Sequence, residues 1–229
     1  MSTLAKARTG ARRKAAPREA ATSLLDTAYE EIKHRITICA FRPGDYLNEA
    51  EISTTLGIGR TPVHQALDRL MVEGLVQVMP RKGIIVKPVS LDEALQTIEV
   101  RLLNESYCVR LAADRASAAE MDELTAILEQ AQKELATRDG ERLMRLDRDF
   151  HGVLARSARN PVLTEVLGRL HDRSLRFWIL SLNTPGHHLS VQQQHLAILA
   201  AIRDRDPDGA EQAMRAHIDA FRRNLLQTL

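Results

Sequence analysis

The stretch Glu49 to Val86, EAEISTTLGIGRTPVHQALDRLMVEGLVQVMPRKGIIV, decides the fold. It reads as a helix, a tight turn, a second helix and a β-hairpin. Leu47 precedes Asn48, Glu51 stands three residues beyond Asn48, and Ile52 can fold back on Leu47, so a capping box and a hydrophobic staple mark the same helix start. Leu56-Gly57-Ile58-Gly59 then interrupts the pattern, because two glycines around one apolar residue make a sharp turn pinned at its middle. A second helix is predicted from Arg60-Thr61-Pro62, where proline is tolerated in a first turn, to Glu73. Val63, Ala66, Leu67, Leu70 and Met71 give it one apolar face, and Gly74 is placed to end it. Leu75 to Met79 and Ile84 to Val89 are β-prone runs around the turn Pro80-Arg81-Lys82-Gly83, whose two basic residues suit a phosphate backbone.

Upstream, Leu25, Ala28, Ile32 and Ile36 form one stripe of a helix predicted over 23–38, which would cross the back of this unit, and Pro43-Gly44 turns the chain toward Leu47. Residues 1–21 hold Lys6, Arg8, Arg12, Arg13, Lys14 and Arg18 against the single acid Glu19, with no apolar period. They read as a flexible basic arm that follows DNA, or as a plain solvated tail. Charge is divided: residues 1–90 carry 14 Lys/Arg against 9 Asp/Glu, the remainder 18 against 21, which fits a nucleic-acid reader joined to a domain of another kind. Low aromatic content favours a helical protein. Cys39 and Cys108 show no metal or redox spacing and read as small apolar side chains. The absence of a long apolar run or a secretory signal pattern points to a cytoplasmic protein.

After Val89 no strand pattern appears. Capping residues and breakers divide the chain into about six helices: Leu91 to Arg115, Ala118 to Thr137, Gly140 to Ala158, Pro161 to Leu182, Ser190 to Arg203 and Pro207 to Gln227. The expected fold is mainly α, an N-terminal winged helix-turn-helix (22–89) followed by an all-α bundle (90–229). Asp147 and His151 lie four apart on one helix and share a face, and His195 and His217 sit among apolar neighbours on two later helices. Imidazoles and a carboxylate converging inside a bundle suit a divalent metal, though from spacing alone the signal is weak, histidines on apolar faces being more often satisfied core or boundary residues.

The first unit resembles the winged helix-turn-helix of the GntR family of bacterial transcription regulators, through Leu56-Gly57-Ile58, Arg60-Thr61-Pro62-Val63, Ala66-Leu67, Arg69-Leu70, Glu73-Gly74-Leu75-Val76, Pro80 and Gly83-Ile84-Ile85-Val86. The resemblance implies that Arg60 reads the major groove, with Thr61, His64, Gln65 and Arg69 on the same helix and Arg81, Lys82 and Gly83 at the wing facing the DNA. Gly59 and His64-Gln65 depart from the usual Ser/Thr and Arg-Glu, and Ala50 replaces an arginine of some relatives, so operator sequence is not transferable. The second unit resembles the effector-binding FCD domain of the FadR branch, through Asp147-Arg148-Asp149-Phe150-His151, Asn160-Pro161-Val162-Leu163, His195 to Ile202 with Asp204, and Ala213-Met214 with His217.

That resemblance implies that Asp147, His151, His195 and His217 hold a divalent ion such as Zn, Ni, Mn or Fe, and that a small carboxylate effector binds there. Arg101, where relatives place a cavity arginine, is expected as its clamp unless it pairs with Glu105, and Asn104 as a specificity contact. His34, His171, His187 and His188 receive no role, and Arg173 a structural one. The expected protein is a homodimeric regulator on a palindromic operator, repression being commoner in the family, with a hinge at Lys87-Pro88-Val89-Ser90. Alternatives are a regulator whose metal is structural or is itself the signal and, remotely, a metalloenzyme, which would lack a recognisable general base and leave the winged unit unexplained.

Overall fold

The computed structural model describes residues 23–88, 90–137, 139–181 and 186–228. The basic arm over 1–21, Val89 of the expected hinge and the turn at Thr184-Pro185 fall outside the described residues. The winged head consists of α1 (Leu24–Thr37), α2 (Glu49–Leu56), α3 (Arg60–Val72), β1 (Val76–Met79) and β2 (Gly83–Val86). Asn48 caps α2 by accepting from the amides of Ala50 and Glu51, and Gly57 closes that helix in the left-handed region at φ 64°. Gly74, at φ 75°, turns the chain out of α3. Ala28, Ile32 and Ile36 of α1 pack with Leu47, Ile52, Val63, Ala66, Leu67 and Leu70 in one core, as the helical stripes require.

The hairpin pairs antiparallel with Val76 opposite Val86 and Met79 opposite Gly83, so its loop is Pro80-Arg81-Lys82. The strands are shorter than their β-prone runs, although the Lys87 amide still donates to the Leu75 carbonyl in the register of the ladder. A third piece of sheet was not legible as a strand. Tyr46 bridges to Ile85, and the amides of Gly44 and Leu47 donate to the carbonyls of Val86 and Ile84. The Tyr46 ring lies against Gly83, where a Cβ would approach it to 2.8 Å.

The bundle consists of α4 (Leu91–Arg115), α5 (Ala118–Thr137), α6 (Gly140–Ser157), α7 (Pro161–Ser181), α8 (His187–Arg203) and α9 (Pro207–Thr228). Ser90, Asp139, Asn160 and Asp206 cap α4, α6, α7 and α9 with their side-chain oxygens. Helix α8 begins three residues before the expected Ser190. The chain enters it through Gly186 at φ 78°, the Ser190 amide already bonds to the Gly186 carbonyl, and the Ser190 hydroxyl accepts from Gln194. Ile98, Leu124, Phe150, Leu154, Ile198 and Ile218 fill a common core, with α4 laid against α6, α7 and α9. Cys108 is buried and Cys39 only half-buried. Among the described residues, no helix is long and apolar enough to cross a membrane.

Candidate metal centre and nucleic-acid face

Five helices of the bundle direct polar side chains into one buried cluster: Arg101 and Glu105 from α4, Asp147 and His151 from α6, His171 from α7, His195 from α8 and His217 from α9. Each is at most 8% exposed. His151, His195 and His217 present ring nitrogens within 4.8 Å of one another. Asp147 is 3.5 Å from His195 Nε2 on one oxygen and 3.3 Å from His171 Nε2 on the other. Asp147 and His151 of one helix and His195 and His217 of two later ones, singled out by residue type, thus come together in space.

The electrostatics of the cluster suit a cation. Burial pushes His195 down to about 3 and His217 well below the usual imidazole range, so both rings are neutral with lone pairs available to a metal. Burial by itself would raise Asp147, but the hydrogen bond from His171 and the surrounding imidazoles hold it well below the ordinary carboxylate range. Among the described residues, His151 Nε2 and His195 Nε2 are buried without a hydrogen-bond partner, an arrangement that costs free energy unless something binds there. His217 Nδ1 bonds to Gln194 Oε1 at 2.9 Å, and His195 stacks on Phe150 at 4.3 Å between centroids, which fixes both ring planes. An anionic oxygen and neutral imidazoles with unsatisfied nitrogens fit a divalent ion.

Two members of the cluster were missed by sequence reasoning. His171 follows Leu163 and Leu167 at helical spacing on a buried face of α7, a signal that could have pointed it inward. Glu105 takes a 2.9 Å contact from His151 Nδ1 and a 2.5 Å bond from Arg101 Nε. Burial would raise the Glu105 carboxyl, yet Arg101 and His151 hold it well below the usual range. The pair is buried rather than on the surface, and it changes the reading of Arg101. The guanidinium is already neutralised four residues on and lies 5.7 Å from the Phe221 ring, beside a gap of about 20 Å³ that it shares with His217. Asn104 turns away, its amide donating to the Val100 carbonyl at 2.7 Å on its own helix. The roomier cavity, about 470 Å³, opens on the other side, where Arg148, Arg156, Thr164, His151 and His171 line it.

In the head, Arg60, Thr61, His64 and Gln65 stand exposed on the side of α3 opposite Val63, Ala66, Leu67 and Leu70. Gly59 contributes no side-chain cap to that helix. Arg81, Lys82 and Gly83 are exposed at the hairpin tip, with Arg81 at φ 65°. His64 bonds to Glu49 at 2.8 Å and lies 3.6 Å from Asp68, and these carboxylates raise its pKa. Arg69 is engaged differently from its expected DNA contact. Its guanidinium lies 3.7 Å from the Tyr29 ring centroid and 3.4 Å from Asp26, so it fastens α3 to α1.

Residues 24–86 match the family described as bacterial regulatory proteins, gntR family, and residues 96–220 match the FCD domain. The chain is 30% identical over 191 residues to the Nta operon transcriptional regulator of Aminobacter aminovorans, covering 82% of this chain and 88% of that protein. It is 29% identical over 223 residues to the HTH-type transcriptional repressor NanR of Cronobacter sakazakii, covering 86% and 83%. The solved structure of E. coli McbR/YncC shares the fold with a TM-score of 0.82 at 24% identity, over 90% of this chain and 98% of that one.

Proposed function

We infer from the GntR family of bacterial regulatory proteins, to which the chain belongs through both its winged head and its FCD domain, how this transcription regulator is controlled. The division runs near residue 89, with an arm over 1–21, a DNA-binding head over 22–89 and a regulatory bundle over 90–229 of the FadR type. The protein acts in the cytoplasm as a homodimer whose two heads straddle a palindromic operator, since two-fold symmetry in the protein mirrors that of the site. It represses, as the name of its relative NanR says of that protein. Arg60, Thr61, His64 and Gln65 enter the major groove while Arg81, Lys82 and Gly83 follow the adjacent backbone.

In the bundle, Asp147, His151, His195 and His217 hold a divalent metal, the reading supported above all by the buried and unsatisfied ring nitrogens of His151 and His195. Held by these four residues, a divalent ion would supply a Lewis-acidic centre suited to an oxygen of a small carboxylate effector. The cavity beside His151 and His171 has the volume for such a molecule, and Arg148 and Arg156 on its wall supply cations for a second carboxylate oxygen. On this reading Arg148 and Arg156 join Arg101 as candidate clamps, each being paired with a carboxylate: Asp172, Glu123 and Glu105 respectively.

Thermal unfolding of the metal-loaded protein against a panel of small carboxylates tests the reading. A ligand at about 100 times its dissociation constant stabilises by roughly 2.7 kcal/mol. One acid should therefore raise the midpoint by several degrees, at about 2 to 4 °C per kcal/mol for a chain of this size. A shift produced by metal but by no acid would instead support a regulator whose metal is structural or is itself the signal.

A further inference from the structure

One turn of α7 touches three parts of the molecule in succession. Consecutive helical residues point about 100° apart. His171 accordingly faces the buried cluster and the larger cavity, Asp172 faces α1, and Arg173 faces the end of α3. Asp172 forms a short ion pair with Lys33 of α1, both side chains being 8% exposed, and its other oxygen lies 3.1 Å from Arg148 on the cavity wall. Lys33 donates to the Tyr29 hydroxyl at 2.7 Å, which in turn meets Glu73 at 2.8 Å. Arg173 Nε donates to the Glu73 carbonyl at 3.0 Å, and its guanidinium fills the space over Gly74, 2.9 Å from where a Cβ would lie. An arginine of the bundle thus caps the C-terminal end of the head's recognition helix, where an unpaired carbonyl and the negative end of the helix dipole favour a cation.

We propose that Asp172 and Arg173 are the linkage by which occupancy of the histidine cluster and its cavity reaches the winged head. The inference rests on the reading of that cluster as the regulator's ligand site, and adds the route. Asp172 is shared between Arg148, which faces the cavity, and Lys33, which belongs to the head. A group that draws on Arg148 or reorients His171 therefore alters the hold on Lys33 and on the cap at Glu73. A ligand acts on the head only through such a difference in contacts between two arrangements.

Hydrogen exchange of the full-length protein with and without zinc, with zinc binding followed separately by calorimetry, tests the linkage. The variants are Arg173→Ala, which removes only the cap, and Lys33→Met/Asp172→Leu, which removes the buried pair together so that no lone charge remains. In the wild type, zinc should change exchange in α1 around 29–33 and around the α3 terminus at 70–76 by about tenfold. Both variants should bind zinc with unchanged affinity and lose the change in the head while keeping it in α6, α8 and α9. Zinc binding without any change in the wild-type head would overturn the linkage alone, as would variants whose heads still respond. If the wild type takes up no zinc, the metal reading itself fails and the linkage falls with it.

Discussion

The recognition face of α3 and the histidine cluster of the bundle use polar side chains in opposite ways. Arg60, Thr61, His64 and Gln65 are exposed to water, which can satisfy their polar groups, and their removal leaves the head's core of Ile32, Val63 and Leu70 intact. Asp147, His151, His195 and His217 are buried beside Phe150 and Met214, where an unsatisfied nitrogen is costly. An exposed polar surface is stable with or without DNA, whereas a buried polar cluster is stable in proportion to what fills it. Binding energy gained in the bundle is therefore available to stability and to control, and binding energy gained at α3 mainly to affinity.

The contrast is most exposed to failure in the metal. His217→Ala should abolish the stabilisation that metal at about 100 times its dissociation constant confers on the wild type, roughly 2.7 kcal/mol. In the same calorimetric series Arg60→Ala should respond to metal as the wild type does, and equal loss in both variants would erase the distinction. Next in size, Arg60→Ala should weaken operator binding by roughly 1 to 3 kcal/mol and flatten the base preference at one position, with the unfolding midpoint unchanged. Fluorescence anisotropy on operator and scrambled duplexes at fixed salt reads both quantities; a uniform loss on every duplex would make Arg60 a phosphate contact instead.

The smallest expected effect sharpens the electrostatic side. Metal displaces protons only from ligands that carry them, and at pH 7 burial already keeps His195, at about 3, and His217 deprotonated, with Asp147 ionised. Metal uptake at pH 7 should then release fewer than about one proton per ion, measured by titration in buffers of different ionisation enthalpy. Release of two or more would mean that these imidazoles are charged in the free protein.

Much of the head was legible before any coordinates. The staple of Leu47 and Ile52, the Asn48 cap, the glycines at 57 and 74 and the apolar face of α3 are local signals, set by residues within a turn or two of one another. The bundle's helix limits were legible for the same reason, except at α8, where a glycine entry preceded the serine that looked like a cap. The residue types of the cluster were also readable, because histidine and aspartate on apolar helix faces stand out from their neighbours.

Tertiary structure alone decided what those residues meet. Arg101 could not be assigned between clamp and ion pair until the packing of α4 buried Glu105 beside it and beside His151. Asn104 bonds back to its own helix at Val100, and His171 is buried beside Asp147. Asp172 and Arg173 reach Lys33 and Glu73 across a hundred residues of chain or more. Helical periodicity tells which side chains share a face, since that follows from the rise and turn of one backbone. Which face of which helix comes to lie against it depends on packing among segments distant in sequence, and no local pattern encodes that choice.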